Sequence, residues 1–163
     1  MQTKTRSEKS ANKDSWKLVH TSKYSHIFTR DQTILGKSVI DGNNHVNNAG
    51  YAGFIETIRQ DQFLPSYGFS DHIFNEMGWQ QIRRSIEFTF GRGLQEGERT
   101  EVNLEVYVEP RTLFHMVFDF YNSHGKPAAQ AVTNDFFKRN IGGAWTLYSK
   151  PVPEFFLEKI RNV

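Results

Sequence analysis

A carboxylate, an imidazole and four side-chain amides fall within eight consecutive residues, Asp41-Gly42-Asn43-Asn44-His45-Val46-Asn47-Asn48, and Ala49-Gly50-Tyr51 follows. Asp41 offers an anionic nucleophile or base, and His45 a group that exchanges protons near neutral pH. Asparagine suits turns and helix starts, because its side chain accepts hydrogen bonds from nearby backbone N–H groups. The first N–H groups of a helix have no intrahelical partner and form a ready site for a developing oxyanion. An acid and a base beside such a helix start suit acyl transfer at a carbonyl. The same residues also have plainer uses. Asp41 can be a turn or capping residue of an Asp-Gly loop, His45 a buried histidine that shapes the loop, and Asn43 a turn residue with left-handed geometry.

A helix is predicted where this chemistry needs one. Between Ala49 and Phe63, Tyr51, Phe54, Ile55, Ile58 and Gln62 or Phe63 recur at three- and four-residue spacing. Asn47 or Asn48 serves as N-cap, and Pro65 ends the pattern. The small residues Ala49, Gly50, Ala52 and Gly53 are costly for a helix, at ~1 kcal/mol for an interior glycine. Close packing of the first turns against a sheet is the expected return. Upstream, Tyr24 to Ile40 reads as strand with a break near Asp31 or Gly36. Ser70 to Met77 gives a further helical turn.

After Gly78 the period becomes two. Ile86, Phe88 and Phe90 alternate with Glu87 and Thr89, the apolar residues from Val102 to Val108 with Asn103, Glu105 and Tyr107, and those from Phe114 to Phe120 with His115, Val117 and Asp119; runs from Ala128 to Lys138 and Ala144 to Ser149 continue the theme. Short turn sequences separate the runs at 95–98, 109–112, 122–126 and 140–143, so the strands are expected to pair antiparallel. Pro151 and Pro153 introduce a final helix from Glu154 to Arg161. One long helix and one sheet predict an α+β fold with the sheet wrapped around a central helix. Its uncovered edges predict a homodimer or tetramer.

The chain has 163 residues and a net charge of +2, so charge alone points to no nucleic-acid partner. It has no cysteine, which excludes disulfides, a thiol nucleophile and cysteine-bound metals and fits a reducing compartment. The histidines show no metal-ligand spacing, so no metal is expected. No apolar run approaches the ~20 residues of a membrane span. Residues 1–15 are polar and read as a disordered tail without a secretory signal, leaving residues 16–163 as one domain and a cytoplasmic location as the expectation.

The pattern Asp-x-x-x-His-Val-Asn-Asn-x-x-Tyr, with Glu56 and Arg59 on the following helix, resembles the hotdog-fold thioesterases. Asp41 to Asn48 is similar to the motif of the acyl-ACP thioesterases and of the 4-hydroxybenzoyl-CoA thioesterase group. Gly97-Glu98 between two strands and a closing Lys150-Pro151-Val152-Pro153 fit the same family. Val39 stands where many relatives carry a second acid, and Asn44 where many carry glycine. The resemblance implies a single hotdog domain that hydrolyses an acyl thioester. Asp41 is then nucleophile or general base, His45 and Asn43 assist placement, and the backbone N–H near Asn48 polarises the carbonyl. Coenzyme A or phosphopantetheine enters as part of the substrate, an acyl-CoA or an acyl carrier protein, and no separate cofactor is implied. Arg83, Arg84, Arg92 and Arg111 are candidates for its phosphates, and equally ordinary solvated arginines. Two rival readings keep the fold: a module that binds or senses acyl thioesters without turnover, and enoyl hydration or β-hydroxyacyl dehydration.

Overall fold

The computed structural model describes residues 22–33, 40–108 and 114–161. The expected tail 1–15, Val39 and Arg111 lie outside them. Strand β1 (Ser22–Thr33) precedes the motif loop, and helix α1 (Asn48–Ile58) follows it. A π-helical turn, Arg59–Phe63, leads into α2 (Leu64–Ser66), and α3 (Asp71–Glu76) comes next. Strands β2 (Trp79–Phe90), β3 (Arg99–Val108), β4 (Phe114–Tyr121), β5 (Pro127–Ile141) and β6 (Ala144–Leu147) complete the sheet. Helix α4 (Glu154–Arg161) closes the described chain.

All pairings are antiparallel, in the order β1-β3-β4-β5-β2, with β6 continuing along β5 beyond the end of β4. This corrects one expectation. The turn at 95–98 does not join paired strands, because β2 pairs with β5 and not with β3. The chain is drawn off the β2 lane at Gly91 and Gly93, whose N–H groups both donate to the Ala128 carbonyl. It then accepts a bond from the motif loop, Val46 N–H to Leu94 O at 2.8 Å, and so crosses the start of α1 before entering β3.

The core lies between the sheet and the helices. Tyr51, Ile55 and Ile58 of α1 pack with Val102, Leu104, Val106, Met116, Phe118 and Phe120 of β3 and β4. Phe156 and Ile160 bring α4 into the same core, and the buried Pro151, Val152 and Pro153 seat it. Strand β2 keeps one face inward by a bulge between Arg83 and Ser85. Trp79, Gln81 and Arg83 point inward before it, and Ile86, Phe88 and Phe90 after it, since one extra residue swaps the two faces.

Two helix expectations change. Pro65 does not stop the helical path. The preceding π turn, with Leu64 N–H bonded to Arg59 O, shifts the ladder by one residue just where proline lacks a donor. Gly53 is not needed for close packing either, since a Cβ there would meet nothing within 4 Å. Gly50, by contrast, is buried.

Arg59 is buried at 6% exposure and binds both oxygens of Asp71, at 2.8 and 2.6 Å, as well as Glu56 at 2.6 Å. Glu56 also binds Arg83 at 2.9 Å, and Arg83 reaches the fully buried Asp135 at 3.3 Å. The pair on the helix is therefore part of a five-member ionic network that ties α1, α3, β2 and β5 together. Burial raises the Glu56 carboxyl, but the Arg59 and Arg83 bonds outweigh it and hold it below its ordinary range. Burial dominates at Asp135 and pushes its carboxyl up.

Candidate active site

The motif loop is a tight turn closed on itself. Asn44 N–H donates to Asp41 O at 3.1 Å, and Asp41 N–H to His45 O at 2.7 Å. Asn44 takes φ 61°, the left-handed conformation that asparagine tolerates better than most residues. The Asp41 side chain braces the turn. Its Oδ1 accepts the Asn43 N–H at 2.8 Å and the His45 N–H at 3.1 Å. These two bonds, from His45 first and Asn43 second, hold its carboxyl below the ordinary aspartate value. Asp41 is exposed and ionised at neutral pH, and its second oxygen has no partner among the described residues.

Asn47 caps α1: its Oδ1 accepts the Gly50 N–H at 2.8 Å, and its carbonyl accepts the Tyr51 N–H. The N–H groups of Asn48 and Ala49 are then left without a partner among the described residues. They point out of the helix start, the positive end of its dipole.

A second segment faces this start. Leu94 N–H donates to the Tyr51 hydroxyl at 2.9 Å, and burial lifts that phenol to about 12. The Tyr51 ring packs edge-on against Phe120 at 5.1 Å and also meets Phe90 and Phe88. Gly91 is tightly placed, since a Cβ would lie 3.1 Å from the Pro127 carbonyl oxygen and the backbone would have to give by a few tenths of an ångström to admit it. Gly93 has φ +71° and lies under the His45 ring, 3.4 Å from a built Cβ. The bend Gly91-Arg92-Gly93 is thus fixed beside the motif loop.

Between the two segments lies a cleft of 580 Å³, lined by Asp41, His45, Val46, Asn47, Asn48, Ala49, Phe90, Gly91, Arg92 and Gly93. An ionised carboxylate and the free N–H groups of a helix start share one cavity, which is the arrangement that attack on a carbonyl requires. The model of the thioesterase-like superfamily matches residues 36–160, which includes every element of this cleft.

The chain belongs to the thioesterase-like superfamily.

Solved structures agree on the fold. The chain is similar to a hypothetical protein from Staphylococcus aureus solved in complex with CoA, at 18% identity over 88% of this chain and 85% of that one, with a TM-score of 0.65. It is similar to a 1,4-dihydroxy-2-naphthoyl-CoA thioesterase from Synechocystis, at 14% identity over 87% and 98%, with a TM-score of 0.67. It also resembles an acyl-ACP thioesterase from Bacteroides thetaiotaomicron, at 12% identity and a TM-score of 0.55, covering 78% of this chain and about half (49%) of that one. Comparison with curated proteins returned no match. The sheet around a central helix is the hotdog fold.

Seen as a thioesterase-like cleft, the structure sorts the residues singled out in the sequence. Asp41, His45 and Asn48 meet in it. Asn43 does not line it; its N–H serves Asp41 while its side chain is exposed. The arginines separate. Arg92 lines the cleft, but Arg83 is committed to Glu56 and Asp135. Arg84 is exposed on β2, six positions before its last residue, Phe90, and does not line the cleft. Glu87 points to the face opposite Phe88 and misses the cleft. Glu98 is a turn residue whose carboxylate accepts the Gln95 N–H at 2.8 Å. Sequence reasoning gave no role to the Tyr51 hydroxyl or to the two glycines around Arg92. The available signal was a Gly-Arg-Gly step where the alternation of β2 stops. Among the described residues no cluster of His, Asp or Glu could hold a metal, and no helix is long and apolar enough to cross a membrane.

Proposed function

We propose that this chain hydrolyses an acyl thioester, carried on coenzyme A or on a carrier protein, to a free acid and a thiol. The observation that carries the reading is the shared cleft of the ionised Asp41 and the unpartnered N–H groups of Asn48 and Ala49. The thioester oxygen takes the two N–H groups. Either the free oxygen of Asp41 attacks the carbonyl carbon, the C–S bond breaks to release the thiol and water then hydrolyses the Asp41 acyl anhydride to the free acid, or Asp41 takes a proton from a water that attacks the carbonyl directly and the same C–S bond breaks. His45 lines the same cleft, where it orients the water or passes a proton to the leaving sulfur. In water-excluded sites, losing one oxyanion donor typically costs ~3–4 kcal/mol of barrier. The β2 edge is unpaired among the described strands, which supports assembly as a dimer.

The test is thiol release from panels of acyl-CoA and acyl-ACP by the purified chain and by Asp41→Asn. We expect turnover by the parent and a loss of at least about a hundredfold in the variant. Full activity in Asp41→Asn refutes the role given to that residue. Tight binding of the whole panel without turnover turns the reading to a binding module.

A further inference from the structure

We infer that Arg92 selects a short acyl group that itself carries an anion, such as a terminal carboxylate; this rests on the thioesterase reading of the cleft. Arg92 is held there by design of the backbone. Gly91 and Gly93 are both constrained, one by the Pro127 carbonyl and one by its positive φ and the His45 ring, and both donate to Ala128 O. Its guanidinium has no ion pair or hydrogen bond among the described residues, although Asp41 lines the same cleft. Arg59 and Arg83, by comparison, are fully engaged. An unengaged guanidinium beside a carboxylate nucleophile lets a negatively charged substrate approach an anion that would otherwise repel it.

The anion sits close to the reacting carbonyl. A sphere of 580 Å³ is about 10 Å across. An extended pantetheine arm is about as long as a four-residue strand, ~14 Å, so the phosphates of coenzyme A lie past the cleft when the thioester is at Asn48. The acyl group is also confined. Behind the first turn of α1 the fully buried Tyr51 ring is packed on Phe90 and Phe120, which closes the way into the core. What remains is a surface path along the half-exposed Phe90 ring to Arg92.

Glutaryl-CoA and valeryl-CoA differ by a terminal carboxylate in place of a methyl group, and the matching S-pantetheine esters lack the nucleotide. Steady-state hydrolysis of all four by the parent, Arg92→Gln and Arg92→Lys tests the inference. The expected result is a glutaryl-to-valeryl ratio of kcat/KM above one in both series for the parent. Arg92→Gln lowers that ratio between about ten- and a hundredfold in both series, the range of a charge-assisted hydrogen bond, and Arg92→Lys restores part of it. A ratio that Arg92→Gln leaves unchanged overturns the inference. So does a loss equal for both CoA esters and absent from the pantetheine esters, which assigns Arg92 to a nucleotide phosphate. If the parent cleaves no thioester at all, the proposed function itself fails and this inference with it.

Discussion

Tyr51→Phe removes one oxygen from the centre of the site and leaves the ring. The ring keeps its contacts with Phe120, Phe90 and Phe88, so no cavity of any size forms. What is lost is the acceptor for Leu94 N–H, a 2.9 Å bond inside a residue with no solvent exposure. A buried donor left without a partner costs ~1–3 kcal/mol. A domain of this size has ~5–15 kcal/mol to lose, so the variant folds. With a urea m-value of ~2 kcal/mol/M, the unfolding midpoint drops by ~0.5–1.5 M. The catalytic consequence follows from the next bond along. Leu94 offers its N–H to Tyr51 and its carbonyl to Val46, which adjoins His45. Loosening Leu94 therefore lets the motif loop drift from the helix start, and misplacement by ~1 Å can cost a hundredfold. We expect kcat to fall tenfold or more, and the Leu94 amide to lose protection from hydrogen exchange. Urea titration followed by tryptophan fluorescence, amide exchange and steady-state kinetics read the three effects. An unchanged midpoint together with unchanged Leu94 protection would refute the claim that this hydroxyl holds the two segments together.

Other perturbations separate other parts of the argument. Gly93→Ala forces a side chain to φ +71° and presses on His45, so it should cost ~1–2 kcal/mol, lower Tm by a few degrees and reduce kcat. Gly97→Ala is its control, with φ +78° but open space around it: a similar loss of Tm with kcat retained is expected, and equal kcat losses would show that contact with His45 is irrelevant. Asp41 is held below its ordinary value of 3.8, so the acid limb of kcat/KM should fall below that pH; a limb centred above it would contradict the bracing by the Asn43 and His45 N–H groups. Asp135 is the opposite case. Its folded pKa is raised above the unfolded 3.8, so its contribution to stability is full below that value and fades as pH rises through the folded one. Relative to Asp135→Asn, the parent should therefore lose Tm as pH rises above 3.8 and through the folded pKa. Parallel curves would show that burial does not raise the Asp135 carboxyl in the fold.

The strands were legible because their inward residues repeat with period two, against a mostly polar second face in β3 and a mixed, partly buried one in β4. Strand order was not. Whether β2 pairs with β3 or with β5 is decided at Gly91 and Gly93, by bonds to a carbonyl nearly forty residues away, and no local pattern encodes that choice. The β2 bulge hid the first half of that strand: Gln81 and Arg83 share a face with Ile86 and Phe88 only once the extra residue is counted. Glu56 and Arg59 read as a local helix pair because i to i+3 spacing is visible in sequence, whereas their ties to Asp71, Arg83 and Asp135 are not. The motif itself was legible as a turn followed by a cap, since Asp41, Asn44 and Asn47 act on neighbours within four residues. The cleft opposite it was not, because its other wall comes from the end of β2.

Asp41 brings the structural and the chemical account of the motif onto one side chain, and its two oxygens keep them apart. Oδ1 is committed to the loop through the Asn43 and His45 N–H groups, and the other oxygen is unpartnered among the described residues. An aspartate needed only for the turn would require the first oxygen alone, and an asparagine carbonyl supplies that equally well. Asparagine at this position keeps the acceptor and the turn but gives up the negative charge and the lone pairs that attack a carbonyl or take a proton. The loop bonds also explain why the acid is ready: two N–H donors on one oxygen are the main stabilisers of the ionised form, and no side-chain cation is bonded to the carboxylate among the described residues. The residue that folds the loop is thereby kept ionised by the loop it folds, which is why a turn role for Asp41 does not compete with a chemical one.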